Sequence, residues 1–126
     1  MKMLGDLFEK KEFVVTNDEA GSVHCSASLM PVMESPVLKA HFPGKPIVPG
    51  ACILATVAEL ADMALGVRWQ TREVKSVKFI SLIEPEAGMP VLFDIVIDSP
   101  SGKVKASVRY RDAVCCKMSM TMGEDI

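Results

Sequence analysis

The chain has 126 residues, of which 49% are hydrophobic and 24% charged, with a formal charge of −2 at pH 7. That fits one domain spanning 1–126 and excludes an intrinsically disordered chain or a strongly basic nucleic-acid binder. No apolar run reaches the roughly 20 residues of a membrane span, and aromatics are only 6%, so the core must be built from Val, Ile, Leu, Ala and Met.

The stretch Met1–Phe13 carries Asp6, Glu9, Lys10, Lys11 and Glu12, unlike a signal peptide. Phe13–Val15 is a short β-branched run, and Thr16-Asn17-Asp18 with Gly21 marks a turn. Val23, Cys25, Ala27 and Leu29 then alternate with His24, Ser26 and Ser28, the pattern of a half-buried strand. Pro31 to Pro49 holds prolines at 31, 36, 43, 46 and 49. Proline removes backbone donors and fixes φ, so an irregular, stiff segment is expected there.

Pro49 suits the first turn of a helix, Gly50–Leu65 has helix length, and Gly66 is a natural C-terminal cap. After Gly50 the only polar residues are Thr56, Glu59 and Asp62, predicted to share one narrow stripe. Such a helix is expected to be buried on nearly every side. Four strand patterns follow: Val74–Ile83, then Val91 to Ile97, Val104 to Tyr110 and Val114 to Met122. Short Gly- and Pro-containing turns between them imply antiparallel pairing. The expected fold class is α+β, an antiparallel sheet with one central helix. The chain is also richer in aliphatic residues than one small core obviously needs. That surplus points to a subunit interface or an apolar ligand channel.

Cys25, Cys52, Cys115 and Cys116 show no CxxC spacing, and neither His24 nor His41 lies at zinc-like spacing from them. Reduced thiols in a cytoplasmic protein, with no metal site, are therefore expected. On a strand the adjacent Cys115 and Cys116 would face opposite sides.

The chemistry is concentrated in His41-Phe42-Pro43-Gly44-Lys45-Pro46-Ile47-Val48-Pro49-Gly50, running into the helix. Backbone N–H groups at a helix N-terminus point outward with partial positive charge, and Gly50 has no side chain to obstruct them. A histidine beside such donors has the elements of proton abstraction α to a carbonyl.

The pattern His41-Phe42-Pro43-Gly44-x-Pro46-x-x-Pro49-Gly50 before an apolar helix resembles the signature of 3-hydroxyacyl-acyl-carrier-protein dehydratases. Val77-Lys78-Phe79 and the Glu84-Pro85 turn resemble that family's strand after the helix. The resemblance implies a hotdog fold, a curled antiparallel sheet wrapped around one long central helix. It implies elimination of water from a 3-hydroxyacyl thioester to give the trans-2-enoyl thioester, in fatty-acid or related lipid synthesis, with no metal or organic cofactor. By it, His41 transfers the proton, and Gly50 donates its N–H to the thioester carbonyl. Phe42, Pro49 and Ala55 would lie against the substrate. The expected partners are an acyl thioester on acyl-carrier protein or CoA, and a second copy in a homodimer or assembly of dimers, with an acyl tunnel at the interface. No nucleic acid and no membrane span are expected.

The family's acidic catalytic position falls on Ala55, while Glu59 occupies a family position usually held by Gln. Two readings of Glu59 stand side by side. Helical side chains lean toward the N-terminus, so Glu59 could extend over Ala55 and serve as the catalytic acid. Alternatively it joins Thr56 and Asp62 in a partly solvated or cross-subunit polar seam. A heterodimer in which another hotdog chain supplies the acid is a further route, as is a non-catalytic subunit that binds acyl thioesters or carrier protein. Thioester hydrolysis is less favoured, because the proline-rich histidine loop argues against it. Lys103, Lys105, Arg109 and Arg111 read as a solvated outer strand face, or as a ladder steering an acidic carrier. Met118, Met120 and Met122 read as core.

Overall fold

The computed structural model describes residues 2–18, 20–40, 44–66 and 68–124. A single turn, α1 (Met3–Asp6), precedes two strands, β1 (Phe8–Asn17) and β2 (Ser22–Pro31). A short helix α2 (Pro36–Ala40) and the central helix α3 (Gly50–Leu65) follow. Four strands complete the chain: β3 (Trp69–Phe79), β4 (Val91–Asp98), β5 (Lys103–Tyr110) and β6 (Ala113–Glu124). The strands form one six-stranded sheet in the order β1-β2-β4-β5-β6-β3, antiparallel throughout.

Alternation assigns the two faces of this sheet. The inner face carries Ala27 and Leu29 of β2, Phe93, Ile95 and Ile97 of β4, and Val104 and Val108 of β5, all buried. From β6 it takes Met118, Met120 and Met122, each at most 4% exposed, so the methionines fill the core as the sequence predicts. Against this face α3 buries Ile53, Thr56, Val57, Leu60 and Ala61. The rings of Phe8 and Phe93 meet edge to face at 6.0 Å, closing the core under β1.

Several expectations change. The hairpins β4–β5 and β5–β6 pair as the turns predict, but β3 does not pair with β4; it pairs with β6 at the far edge. The proline-rich stretch is not irregular throughout. Pro36 sits at the start of α2, where its missing N–H costs nothing, and Ser35 caps the helix. The Ser35 hydroxyl accepts the Val37 N–H at 3.3 Å, and the Ser35 carbonyl accepts the Leu38 and Lys39 N–H groups. Pro49 stands just before α3 with extended backbone, φ −63° and ψ 143°, rather than inside its first turn. Cys115 and Cys116 are both buried, next to the β5–β6 register shift between Val108 and Arg109 that breaks strict alternation. All four cysteines are free thiols.

The central helix is less enclosed than its composition predicts. One face is buried, whereas Leu54, Ala55, Ala58, Ala64 and Leu65 are half-buried and Met63 is 41% exposed. Edge strand β3 is exposed along almost its whole length, and Val74, Phe79, Ile80 and Leu82 present apolar side chains to solvent. The exposed part of the aliphatic surplus therefore lies on one flank of α3, on β3 and the residues just after it, and on β1 at Val14 and Val15.

Candidate active site

Gly50 opens α3, with no side-chain cap supplied by Pro49. The first N–H groups of a helix lack intrahelical acceptors, so this terminus offers donors to whatever lies in front of it. Val48 and Ile83 brace the approach: the Val48 N–H donates to the Ile83 carbonyl at 2.9 Å, and both side chains are buried. Lys45 and Glu84 form an exposed ion pair at 3.2 Å beside them. The loop leading to the helix is thus fastened to the segment that follows β3.

Phe79 is the residue that the sequence reading did not single out for the site. Its ring lies against Gly50 so closely that a Cβ there would stand 2.6 Å from its Cζ. A β-carbon at position 50 would therefore need the end of the ring to shift aside. The signal was available in parity: Phe79 is two residues beyond Val77 and shares its inward face opposite β6. Half of the ring remains exposed, 51%, so it forms one wall at the helix N-terminus.

The predicted polar stripe of α3 is not one seam. Successive steps of three residues swing by about −60° each, so positions 56, 59 and 62 diverge over about 120°. Thr56 is fully buried and its hydroxyl donates to the Cys52 carbonyl at 2.7 Å. Glu59 accepts the Met3 N–H at 2.8 Å on one carboxylate oxygen and the Leu4 N–H at 3.1 Å on the other. Asp62 accepts the Trp69 N–H at 2.9 Å. Both acids therefore hold other parts of the same chain against the helix. Ala55 lies one turn before Glu59, half-buried. His41 and Phe42 lie outside the described residues.

The thiols near this helix are poor nucleophiles. Burial raises the Cys52 thiol above its ordinary value and pushes Cys25 up to about 11. Among the described residues no group of His, Cys, Asp and Glu is arranged to hold a metal ion. No described helix is long and apolar enough to cross a membrane.

The sequence profile of the ApeI-like family, described as ApeI dehydratase, matches residues 16–119. The chain belongs to this ApeI-like dehydratase family. No curated protein sequence matches it. Solved structures similar to this ApeI-like chain include an uncharacterized protein from Erwinia carotovora subsp. atroseptica. That protein is 16% identical with a TM-score of 0.81, over 94% of this chain and 97% of that one. The dehydratase heterocomplex ApeI:P from Xenorhabdus doucetiae is 18% identical with a TM-score of 0.71, over 89% and 98%. The dehydratase domain of PpsC from Mycobacterium tuberculosis, in complex with C12:1-CoA, is 15% identical with a TM-score of 0.61. That match covers 90% of this chain and 43% of that one. The shared fold is the hotdog, with the curled six-stranded sheet packed on α3, as the dehydratase resemblance implies.

Proposed function

We propose that this ApeI-like chain acts on 3-hydroxyacyl thioesters carried by acyl-carrier protein or CoA, removing water to give the trans-2-enoyl thioester. The setting is cytoplasmic synthesis of a fatty acid or related lipid. Family membership supports the reaction class. The observation that carries the reading is the uncapped helix N-terminus at Gly50, walled by Phe79 and braced through Val48 and Ile83, nine residues after His41 in the sequence. In this reading the Gly50 N–H polarises the thioester carbonyl, which acidifies the α-proton. His41 takes that proton, the C3–O bond breaks, and the hydroxyl leaves as water with a second proton. Phe42, Pro49 and Ala55 line the acyl group. No metal or organic cofactor enters the balance.

The second proton needs an acid, and a specific observation bears on its source. Both carboxylate oxygens of Glu59 already accept backbone N–H groups of the same chain. Glu59 is therefore assigned to holding the N-terminal turn, and the acid to a second hotdog chain. The heterocomplex nature of the ApeI:P relative is compatible with that arrangement. The exposed β3 edge with Val74, and Ile80 and Leu82 just after it, is the face offered to the second chain, whether a copy or another hotdog subunit. A homodimer without an external acid is the alternative, and in that form the chain binds acyl thioesters without turning them over.

The test is hydration of crotonyl-carrier protein and crotonyl-CoA by the purified chain, alone and with a co-expressed acid-bearing hotdog chain, against His41→Ala. Activity that appears only in the complex and is lost in H41A supports the composite site. Full activity of the chain alone in H41A would remove the reading, and free thiol released from crotonyl-CoA would replace it with hydrolysis.

A further inference from the structure

The outer face of the sheet, turned away from α3, carries a feature unrelated to that site. Four strands there, β4, β5, β6 and β3, enclose an open groove of about 570 Å³. Alternation and register set its lining in two transverse rows. Lys105 pairs with Ser119, which pairs with Ser76; Ser107 pairs with Lys117, which pairs with Lys78. Three lysines and three serines therefore interleave across neighbouring strands.

The charge of this groove is uncompensated. Its one carboxylate, Asp94, is held by Arg109 at 3.3 Å and accepts the Ser26 hydroxyl at 3.2 Å. Among the described residues, Lys78, Lys105 and Lys117 make no ion pair. Lys78 and Lys117 stand directly opposite each other, and like charges in that position destabilise a sheet. An arrangement that costs stability while the whole chain is acidic, at −2, marks a surface built for an anionic partner. Val96, 38% exposed, adds an apolar strip to the floor.

Of the basic ladder visible in the sequence, only Lys105 belongs to this surface. Lys103 pairs with Asp98 in register, Arg109 is bound to Asp94, and Arg111 turns away to Glu86 at 3.0 Å. Four strands at about 4.8 Å spacing make a groove roughly 14 Å across, and a helix with its side chains is about 10–12 Å thick. Acidic residues one helical turn apart lie about 6 Å from each other, comparable with the roughly 7–8 Å diagonal between Lys105 and Lys117.

We propose that this groove docks an acidic helix of a partner protein. In the carrier-bound reading of the function, on which this step rests, the partner is the protein that carries the acyl thioester. Lys78 is the residue before Phe79, whose ring lies on Gly50, so the groove and the candidate site occupy opposite faces of the same end of β3.

The experiment measures binding and turnover separately. Crotonyl-loaded acyl-carrier protein is titrated against the wild type and against Lys78→Glu/Lys105→Glu/Lys117→Glu, each in complex with the acid-bearing hotdog chain. A Lys→Met triple variant, which removes charge with little change in shape, guards against misfolding. Expected is at least a 30-fold weaker affinity on charge reversal, a smaller loss for Lys→Met, and steep weakening of the wild type between 50 and 300 mM salt. Turnover of crotonyl-pantetheine, which has no protein to dock, should stay within twofold. Carrier affinity unchanged in both variants overturns the proposal, as does an equal loss on both substrates. Competition by inorganic pyrophosphate at matched ionic strength, saturating at one equivalent, overturns it in favour of a small-anion site. A complex with the acid-bearing hotdog chain that binds the carrier through these lysines but turns over neither substrate overturns the dehydratase reading and leaves the docking surface standing.

Discussion

Phe79 and Gly50 are locked together: the ring occupies the space a β-carbon on residue 50 would need, at 2.6 Å from such an atom. Gly50→Ala must therefore displace the ring, and because the ring is half-exposed the strain falls at or below the low end of the roughly 1–3 kcal/mol for overpacking. Shortening the ring residue, Phe79→Leu, should relieve it. Thermal denaturation of G50A, F79L and the double variant checks this, and the double variant should be more stable than the sum of the single effects. Additive effects would show that ring and glycine do not compete for one space.

Glu59 joins the N-terminal turn to the central helix through two backbone N–H groups. Glu59→Ala leaves both donors without acceptors and should cost roughly 1–3 kcal/mol, with Glu59→Gln costing less because one oxygen remains. Amide exchange at Met3 and Leu4 should accelerate in E59A well beyond the change at Val57. In the active complex E59Q should keep its hydration rate within twofold. A loss of a hundredfold or more would return Glu59 to the chemistry.

Ala55 is half-buried on the flank of α3 that the sheet leaves uncovered. Ala55→Glu costs only a few tenths of a kcal/mol in helix propensity. It places a carboxylate where the dehydratase resemblance locates the acid. Crotonyl-CoA hydration by the A55E chain alone should exceed that of the wild-type chain at least tenfold. No gain would mean that the missing acid is not what limits the isolated chain.

Much of this architecture was legible. Gly50–Leu65 is a helix with the predicted limits because its apolar run starts at a glycine after Pro49 and stops at Gly66, left-handed at φ 68°. The strands β4, β5 and β6 were visible in strict alternation, since one face of each is core and the other solvent. The position of β3 was not, because pairing between β3 and β6 depends on how the sheet closes and leaves no local trace in either segment. The N-terminal turn α1 leaves no sequence signal for a similar reason. It is held by Glu59, 56 residues away from Met3, and its own sequence carries no periodic signal. At the site, the sequence points to Gly50 for ligand approach, but its contact with Phe79 appears only once the fold brings them together.

Cys25 supplies a pH test. Burial raises its thiol from 9.0 to about 11, the nearby Asp94 adding to the shift. The folded state thus holds the proton more tightly than the unfolded chain. Its contribution to stability is whole below pH 9 and lost as pH rises from about 9 to about 11. Urea midpoints should fall over that window more steeply in the wild type than in Cys25→Ala. At pH 8, alkylation of Cys25 should be far slower in the native protein than in urea. Parallel midpoint curves for the two proteins would contradict the shift.

The latch between Glu59 and the Met3–Leu4 backbone has a practical consequence for anyone handling the protein. A purification tag or fusion partner joined ahead of residue 3 sits next to the two N–H groups that fasten the helix. A leader that disturbs this latch should therefore lower the melting temperature of otherwise identical preparations, and a cleaved sample is the proper reference for stability measurements.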